Sequence, residues 1–217
     1  MKHKGLSVLL CLFTALLVVT GSIALPIYFR PFYYWQIEPL DIPAATGYDR
    51  DTIKAAYDEV LDYLTLPGAE FGTGVFSHTA EGESHFADCK ALFDLNATVL
   101  VLSLAMVLIL SWLCRRGVFR LWYPRGLHVT FWAGCGVLTA FAAVGLLVAR
   151  DFDRAFVVFH RLFFPGKENW VFDIHADAII NALPQEFFMH CAALILCSVV
   201  VMSITLLVCG LYRRKRT

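Results

Sequence analysis

The chain has 217 residues, 59% of them apolar and only 17% charged, with eighteen basic side chains balancing eighteen acidic ones. Average soluble domains run nearer half apolar and a quarter charged, so an ordinary cytosolic globule is excluded. Disorder needs low hydrophobicity and an excess of one charge, and zero net charge removes the electrostatic case for nucleic-acid binding.

A helix that crosses the bilayer core needs roughly 20 mostly apolar residues. Four runs free of Asp, Glu, Lys and Arg reach that length, at residues 6–29, 95–114, 127–148 and 191–212. They predict an all-α integral membrane protein with four transmembrane helices, a single membrane domain over residues 1–217. The first run also resembles a secretory signal, with Lys2 and Lys4 before a Leu/Val block and small residues at Ser22 and Ala24. Its apolar stretch continues through Leu25, Ile27 and Phe29, longer than most signal cores, which predicts a retained helix.

Charge between the runs is strongly sorted. Lys2 and Lys4, the loop at 115–126 with Arg115, Arg116, Arg120 and Arg125, and the end with Arg213, Arg214, Lys215 and Arg216 contain ten basic residues and no acidic one. The positive-inside rule places these segments, and so both termini, in the cytoplasm. Loops 30–94 and 149–190 are then expected to face outward, and they carry all eighteen acidic residues.

The first outer loop opens with the aromatic stretch YFRPFYYW at 28–35, expected to anchor the first span at the headgroup level. An acidic helix start at 49–52 follows, and Ile53, Tyr57, Val60, Leu61 and Leu64 fall on one helical face. That helix is expected to lie on the outer leaflet or on the bundle, and Pro67-Gly68 ends it.

Between Phe76 and Phe93 the polar residues His78, Glu81, Glu83, His85, Asp88 and Lys90 crowd in before the second span. On a helix, Glu81, His85 and Asp88 would share one face, at offsets of four and three. A carboxylate beside an imidazole fixes its tautomer and supports the imidazolium, whereas a solvated juxtamembrane turn is the bland alternative. In the second outer loop, residues 156–164 are apolar apart from His160 and Arg161, which carries His160 into a half-dry setting. Such an apolar outer loop suits the handling of a lipid.

Cysteine spacing marks neither a disulfide framework nor a zinc site, and a Cys89–Cys191 pair is left open. No HExxH, GxSxG or phosphate-cradling glycine loop is present. A metal-dependent membrane hydrolase built on the outer histidines and a non-catalytic membrane scaffold remain as alternatives. General acid–base chemistry by two imidazoles is what the residues favour.

The segments Phe159-His160, Phe163-Phe164-Pro165, Asn169-Trp170-Val171-Phe172-Asp173, Asp177-Ala178-Ile179-Ile180 and Leu183-Pro184-Gln185-Glu186-Phe187-Phe188 together resemble the signature of a four-helix bacterial membrane family, the lipoprotein intramolecular transacylases. Phe76-Ser77, Glu81 and His85-Phe86-Ala87-Asp88-Cys89-Lys90 resemble that family's other motif, although Cys89 stands where an aliphatic residue is expected.

The resemblance implies an acyltransferase of the bacterial cell membrane whose site faces the extracytoplasmic side. Its substrate would be a diacylated lipoprotein, held among membrane lipids. The sn-2 acyl chain would move to the α-amino group of the N-terminal cysteine and leave a lyso-form lipoprotein. No cofactor or metal is implied. His85 and His160 map onto the motif histidines as a catalytic pair, Glu81 or Asp88 would orient His85, and Trp170, Asp173 and Asp177 would shape the headgroup end. His85 is favoured as the base, and the two roles are exchangeable.

Overall fold

The computed structural model describes residues 3–213. Lys2, Arg214, Lys215 and Arg216, part of the predicted cytoplasmic charge, lie outside the described residues. In chain order the helices are α1 (Lys4–Tyr28), α2 (Pro31–Tyr34), α3 (Ile42–Thr46), α4 (Arg50–Thr65), α5 (Ala80–Arg115), α6 (Val129–Arg150), α7 (Phe152–Phe163) and α8 (Gln185–Tyr212). Two short 3₁₀ turns, Pro124–Gly126 and Ala178–Ala182, complete the regular structure, and no strand occurs among the described residues. Helices α1, α5, α6 and α8 are long and apolar enough to cross a membrane; α5 and α8 contain their predicted spans, and α1 and α6 match theirs to within two residues at one end. Two begin well ahead of their spans. The 36-residue α5 starts at Ala80 and includes the His85 motif, and α8 starts at Gln185.

The chain forms two compact units. One comprises Met1–Ala24, Asn96–Leu147 and Leu194–Thr217. Its buried apolar residues form two small clusters, Leu10 with Leu110, Phe119 and Val129, and Val18 with Val137 and Val199. Large side chains such as Leu102, Leu108, Leu146 and Val201 are exposed instead. Lipid is as apolar as leucine, so spans associate by close van der Waals packing of small residues. Gly210 of α8 does this against α6, where an added Cβ would lie 2.5 Å from the Phe131 amide nitrogen.

The other unit comprises Leu25–Leu95 and Val148–Ala193. It has a water-protein type of core, with Tyr33, Ile37, Ile42, Ile53 and Ile179 fully buried. Helix α4 supplies one wall. Asp49 caps its start by accepting from the Thr52 amide at 2.9 Å, and Ile53, Ala56, Tyr57, Val60, Leu61 and Leu64 bury one face. Each such large side chain stabilises by about 1.5–3 kcal/mol relative to exposure.

The aromatic stretch at 28–35 divides its labour. Tyr28, Phe29 and Trp35 are exposed, as an interfacial anchor would be, but Tyr33 is fully buried. Its ring stacks on Tyr57 at 3.7 Å, and its hydroxyl donates to the Ala182 carbonyl at 2.6 Å. The same core takes up the apolar face of α4, with Ala182 and Phe187 packed into it, so that face is satisfied by protein rather than by lipid.

Candidate active site

Two buried imidazoles meet in the second unit. His85 comes from the first turns of α5 and His160 from the last turn of α7, with ring centroids 5.6 Å apart and planes inclined by 34°. Both are nearly closed to solvent, at 6% and 7% exposure, which decides their charge state. Aromatic rings surround them. Phe164 and Phe172 pack edge-on against His85 at 4.9 and 5.6 Å, and Trp170 stacks on His160 at 4.7 Å with Phe156 at 4.2 Å.

The two rings are held differently. His160 Nδ1 lies 2.8 Å from the Phe156 carbonyl oxygen, one turn back on α7. A carbonyl only accepts, so Nδ1 carries the proton and Nε2 keeps its lone pair. His85 Nε2 lies 3.5 Å from Cys89 Sγ, and His85 Nδ1 is buried with no hydrogen-bond partner. Burial pushes the His85 imidazole down to about 4, with the neighbouring His160 adding to the fall and Asp88 opposing it. Burial also lowers His160, against its bond to Phe156. Both rings are therefore neutral at pH 7. The same dry setting pushes the Cys89 thiol up to about 12, so it stays protonated.

Neither Glu81 nor Asp88 hydrogen-bonds to His85. Glu81 is exposed, and Asp88 accepts from Lys167 Nζ at 2.5 Å and Asn169 Nδ2 at 3.0 Å. Burial alone would raise the Asp88 carboxyl, but those partners hold it below its usual range. Asp88 thus ties the turn after α7 to α5. Asn169 also donates to Ser84 Oγ at 3.3 Å, and Trp170 Nε1 donates to the Lys167 carbonyl at 3.1 Å. The turn is in this way fixed above the imidazole pair.

Asp177 is buried and braces the start of α5. Its Oδ1 accepts from the Thr79 amide at 2.7 Å and the Thr79 hydroxyl at 2.8 Å. Gly82 lets it approach, since a Cβ there would lie 2.4 Å from that oxygen and 3.1 Å from Phe172. Asp173 is exposed and accepts from the His175 amide at 2.8 Å, and it hydrogen-bonds to neither imidazole. His190 bonds to Gln36 at 2.6 Å and His78 to Thr73 at 2.9 Å. No hydrogen bond joins Ser77 or Ser84 to an imidazole. Among the described residues no three His, Cys, Asp or Glu side chains converge as metal ligands, and all seven cysteines are free.

The structure gives roles to residues that the motifs contained without one, Phe164, Phe172, Asn169 and Cys89, and to others outside them. Phe156, Phe164 and Phe172 make the walls, Cys89 is the polar partner of His85, and Thr79, Gly82, Lys167 and Asn169 position the elements. The one available signal was spacing. Gly82 and Cys89 stand three before and four after His85, on the same side of a helix.

Two neutral imidazoles in an aromatic pocket could serve several hydrolases or transferases, and comparison with known proteins decides among them. The family model described as Lipoprotein intramolecular transacylase Lit matches residues 8–188. The chain belongs to the Lit family. It is a multi-pass membrane acyltransferase that performs intramolecular acyl transfer on lipoproteins. The membrane-integral lipoprotein intramolecular transacylase Lit from Bacillus cereus is similar in structure, with a TM-score of 0.85 at 26% identity over 96% of this chain and 93% of that one. An H85R variant of that Bacillus cereus protein, numbered as in that protein, gives a TM-score of 0.79 at 24% identity, over 95% and 89% of the two chains. Its likeness bears on the fold alone. No curated protein matches this member of the Lit family in sequence.

Proposed function

We propose that this Lit-family chain transfers the sn-2 acyl group of an S-diacylglyceryl lipoprotein to the α-amino group of the same N-terminal cysteine. The products are an N-acyl cysteine and a free sn-2 hydroxyl, the lyso form. The substrate brings both ester and amine, so no enzyme nucleophile, acyl donor or cofactor is needed. The observation that carries this reading is the pair of neutral imidazoles, 5.6 Å apart in an aromatic pocket with no serine bonded to either.

The hydrogen bonds favour His160 as the base, the exchanged form of the sequence expectation. Its Nδ1–H is committed to the Phe156 carbonyl, which leaves Nε2 to take the proton of the attacking amine. The new N–C bond turns the ester carbonyl into an oxyanion. A protonated Cys89 thiol donating to His85 Nε2 leaves the ring proton on Nδ1, the buried atom with no partner, free to donate to that oxyanion. Collapse breaks the acyl–oxygen bond, and the proton held by His160 passes to the departing glycerol oxygen. Trp170 and Asp177 hold the rings and the α5 terminus in place, and the exposed Asp173 is available to the incoming α-ammonium. Holding amine and ester together in advance contributes roughly 7–11 kcal/mol in favourable cases.

The site belongs to the outer face of a bacterial cell membrane, with both termini cytoplasmic and residues 1–217 acting as one membrane domain. The sorting of charge supports this, since all eighteen carboxylates lie in the segments that hold His85 and His160. Expression in a host whose lipoproteins stay diacylated, followed by mass spectrometry of N-terminal lipopeptides, tests the reading. Lyso-form peptides are the expected result. Unchanged diacylated peptides, with the protein folded and in the membrane, would reject it.

A further inference from the structure

The first unit, which holds none of the proposed catalytic residues, contains a cavity of about 790 Å³ between α1 and α6. One wall runs from Ser7 to Val19 and the other from Val129 to Phe141, so each spans about 18 Å at the rise of an α-helix. Its lining is overwhelmingly apolar. At one end stand Trp122, Arg125 and Trp132. The Arg125 guanidinium sits 6.0 Å from the Trp132 ring, and Lys4 Nζ lies 5.5 Å from the Trp122 ring. Arg125 also holds the left-handed backbone conformation (φ 51°), which a non-glycine residue adopts at a cost. Trp122 is fixed by its amide, which donates to Ser7 Oγ at 2.9 Å, and Arg120 by its carbonyl, which accepts from the His3 amide at 3.2 Å.

Charge says what covers this groove. The first unit contains no Asp or Glu, so Lys4, Arg120 and Arg125 have no carboxylate to pair with inside it. Cations at the end of a long apolar slot, framed by indoles of the kind that sit at headgroup level, fit one ligand class. We propose that the α1–α6 groove is a binding site for an anionic phospholipid, with one acyl chain in the slot and the phosphate at Arg125 and Lys4.

Gly136 provides the sharp test. It lines the groove, and a Cβ added there meets nothing within 4 Å, so Gly136→Leu enters the slot from an open position and obstructs it. The purified protein is incubated with phosphatidylglycerol or phosphatidylcholine of the same chains, and retained lipid is counted by native mass spectrometry. One phosphatidylglycerol should be retained in preference to phosphatidylcholine. Arg125→Gln should weaken it about fivefold, the share of one interfacial cation, and Gly136→Leu should remove it, with lipoprotein acyl transfer unchanged in both. Equal retention of the two lipids, or undiminished phosphatidylglycerol on folded Gly136→Leu, overturns the proposal. So does loss of acyl transfer in folded Gly136→Leu, which would make the groove a substrate pocket.

Discussion

Cys89 Sγ stands 3.5 Å from His85 Nε2, one turn further along α5, in the place where a carboxylate orienter was expected. A thiol is a weak donor, but in a dry pocket it is enough to choose a tautomer. Cys89→Ala should leave the melting temperature nearly unchanged and slow acyl transfer about fivefold, the worth of one modest hydrogen bond. Cys89→Ser should restore most of the rate, since its hydroxyl can make the same bond. Loss of folding without a change in rate per folded molecule would argue that the thiol only fills space.

The pH profile follows from the lowered imidazoles. An unfolded histidine titrates near 6.5, whereas folded His85 titrates at about 4 and His160 below its ordinary value. The unfolded chain therefore binds more protons across that interval. The stability from keeping these rings neutral is fully present above about 6.5 and is lost as pH falls through the folded values. Thermal melts should be flat above pH 6.5 and decline from there towards pH 4, with a shallower decline in His85→Gln. The rate should rise with pH as the substrate α-ammonium deprotonates, near about 8. An enzyme-derived rise centred at 6.5 would contradict the buried, neutral pair.

Removing either imidazole should be severe. His160→Asn and His85→Asn are each expected to lower the rate by about 10²–10⁴-fold, the usual range for a general acid or base. The base assignment separates them. A small exogenous imidazole should rescue a His160→Gly variant more than a His85→Gly one, because only the former has lost the group that receives the amine proton.

Trp170 stacks on His160 at 4.7 Å, and truncation should loosen that ring rather than remove its chemistry. Trp170→Ala is expected to cost up to about tenfold in rate, the energy of one aromatic pair. Trp170→Phe should keep most activity. A KM change with constant kcat would move Trp170 from positioning to substrate contact.

Gly82 and Asp177 form one close approach. Gly82→Ala would place a methyl 2.4 Å from Asp177 Oδ1, so overpacking of about 1–3 kcal/mol is expected, together with loss of activity as residues 172–177 shift. Asp177→Asn keeps an acceptor for Thr79 and should be much milder than Asp177→Ala. The ratio of the two, measured by melting temperature and lipopeptide yield, checks that Asp177 acts through the α5 terminus.

The helices were legible because their signals are local. An apolar run long enough to span, and the 3.6-residue spacing of Ile53, Tyr57, Val60 and Leu64, need only neighbours in the chain to be seen. The motif histidines were legible from their setting, polar residues ahead of a span and a lone His160 in an apolar run. Their orienting groups were not. Offsets of four and three make Glu81 and Asp88 geometrically able to reach His85. Yet Asp88 went to Lys167 and Asn169, some eighty residues away in the chain, which offer it two charge-assisted or amide donors.

By itself, then, the sequence determined the apolar helices long enough to span and the sorting of charge between the segments that join them, and it singled out the two histidines proposed as catalytic. Hydropathy and charge are properties of short stretches, and the solvent they demand follows from them directly. Only the tertiary structure decided that Tyr33 is core rather than anchor, that α4 packs on protein, and that His85 has a thiol beside it and no carboxylate. Those outcomes depend on which distant groups compete for the same few ångströms, and burial turned that competition into two neutral imidazoles.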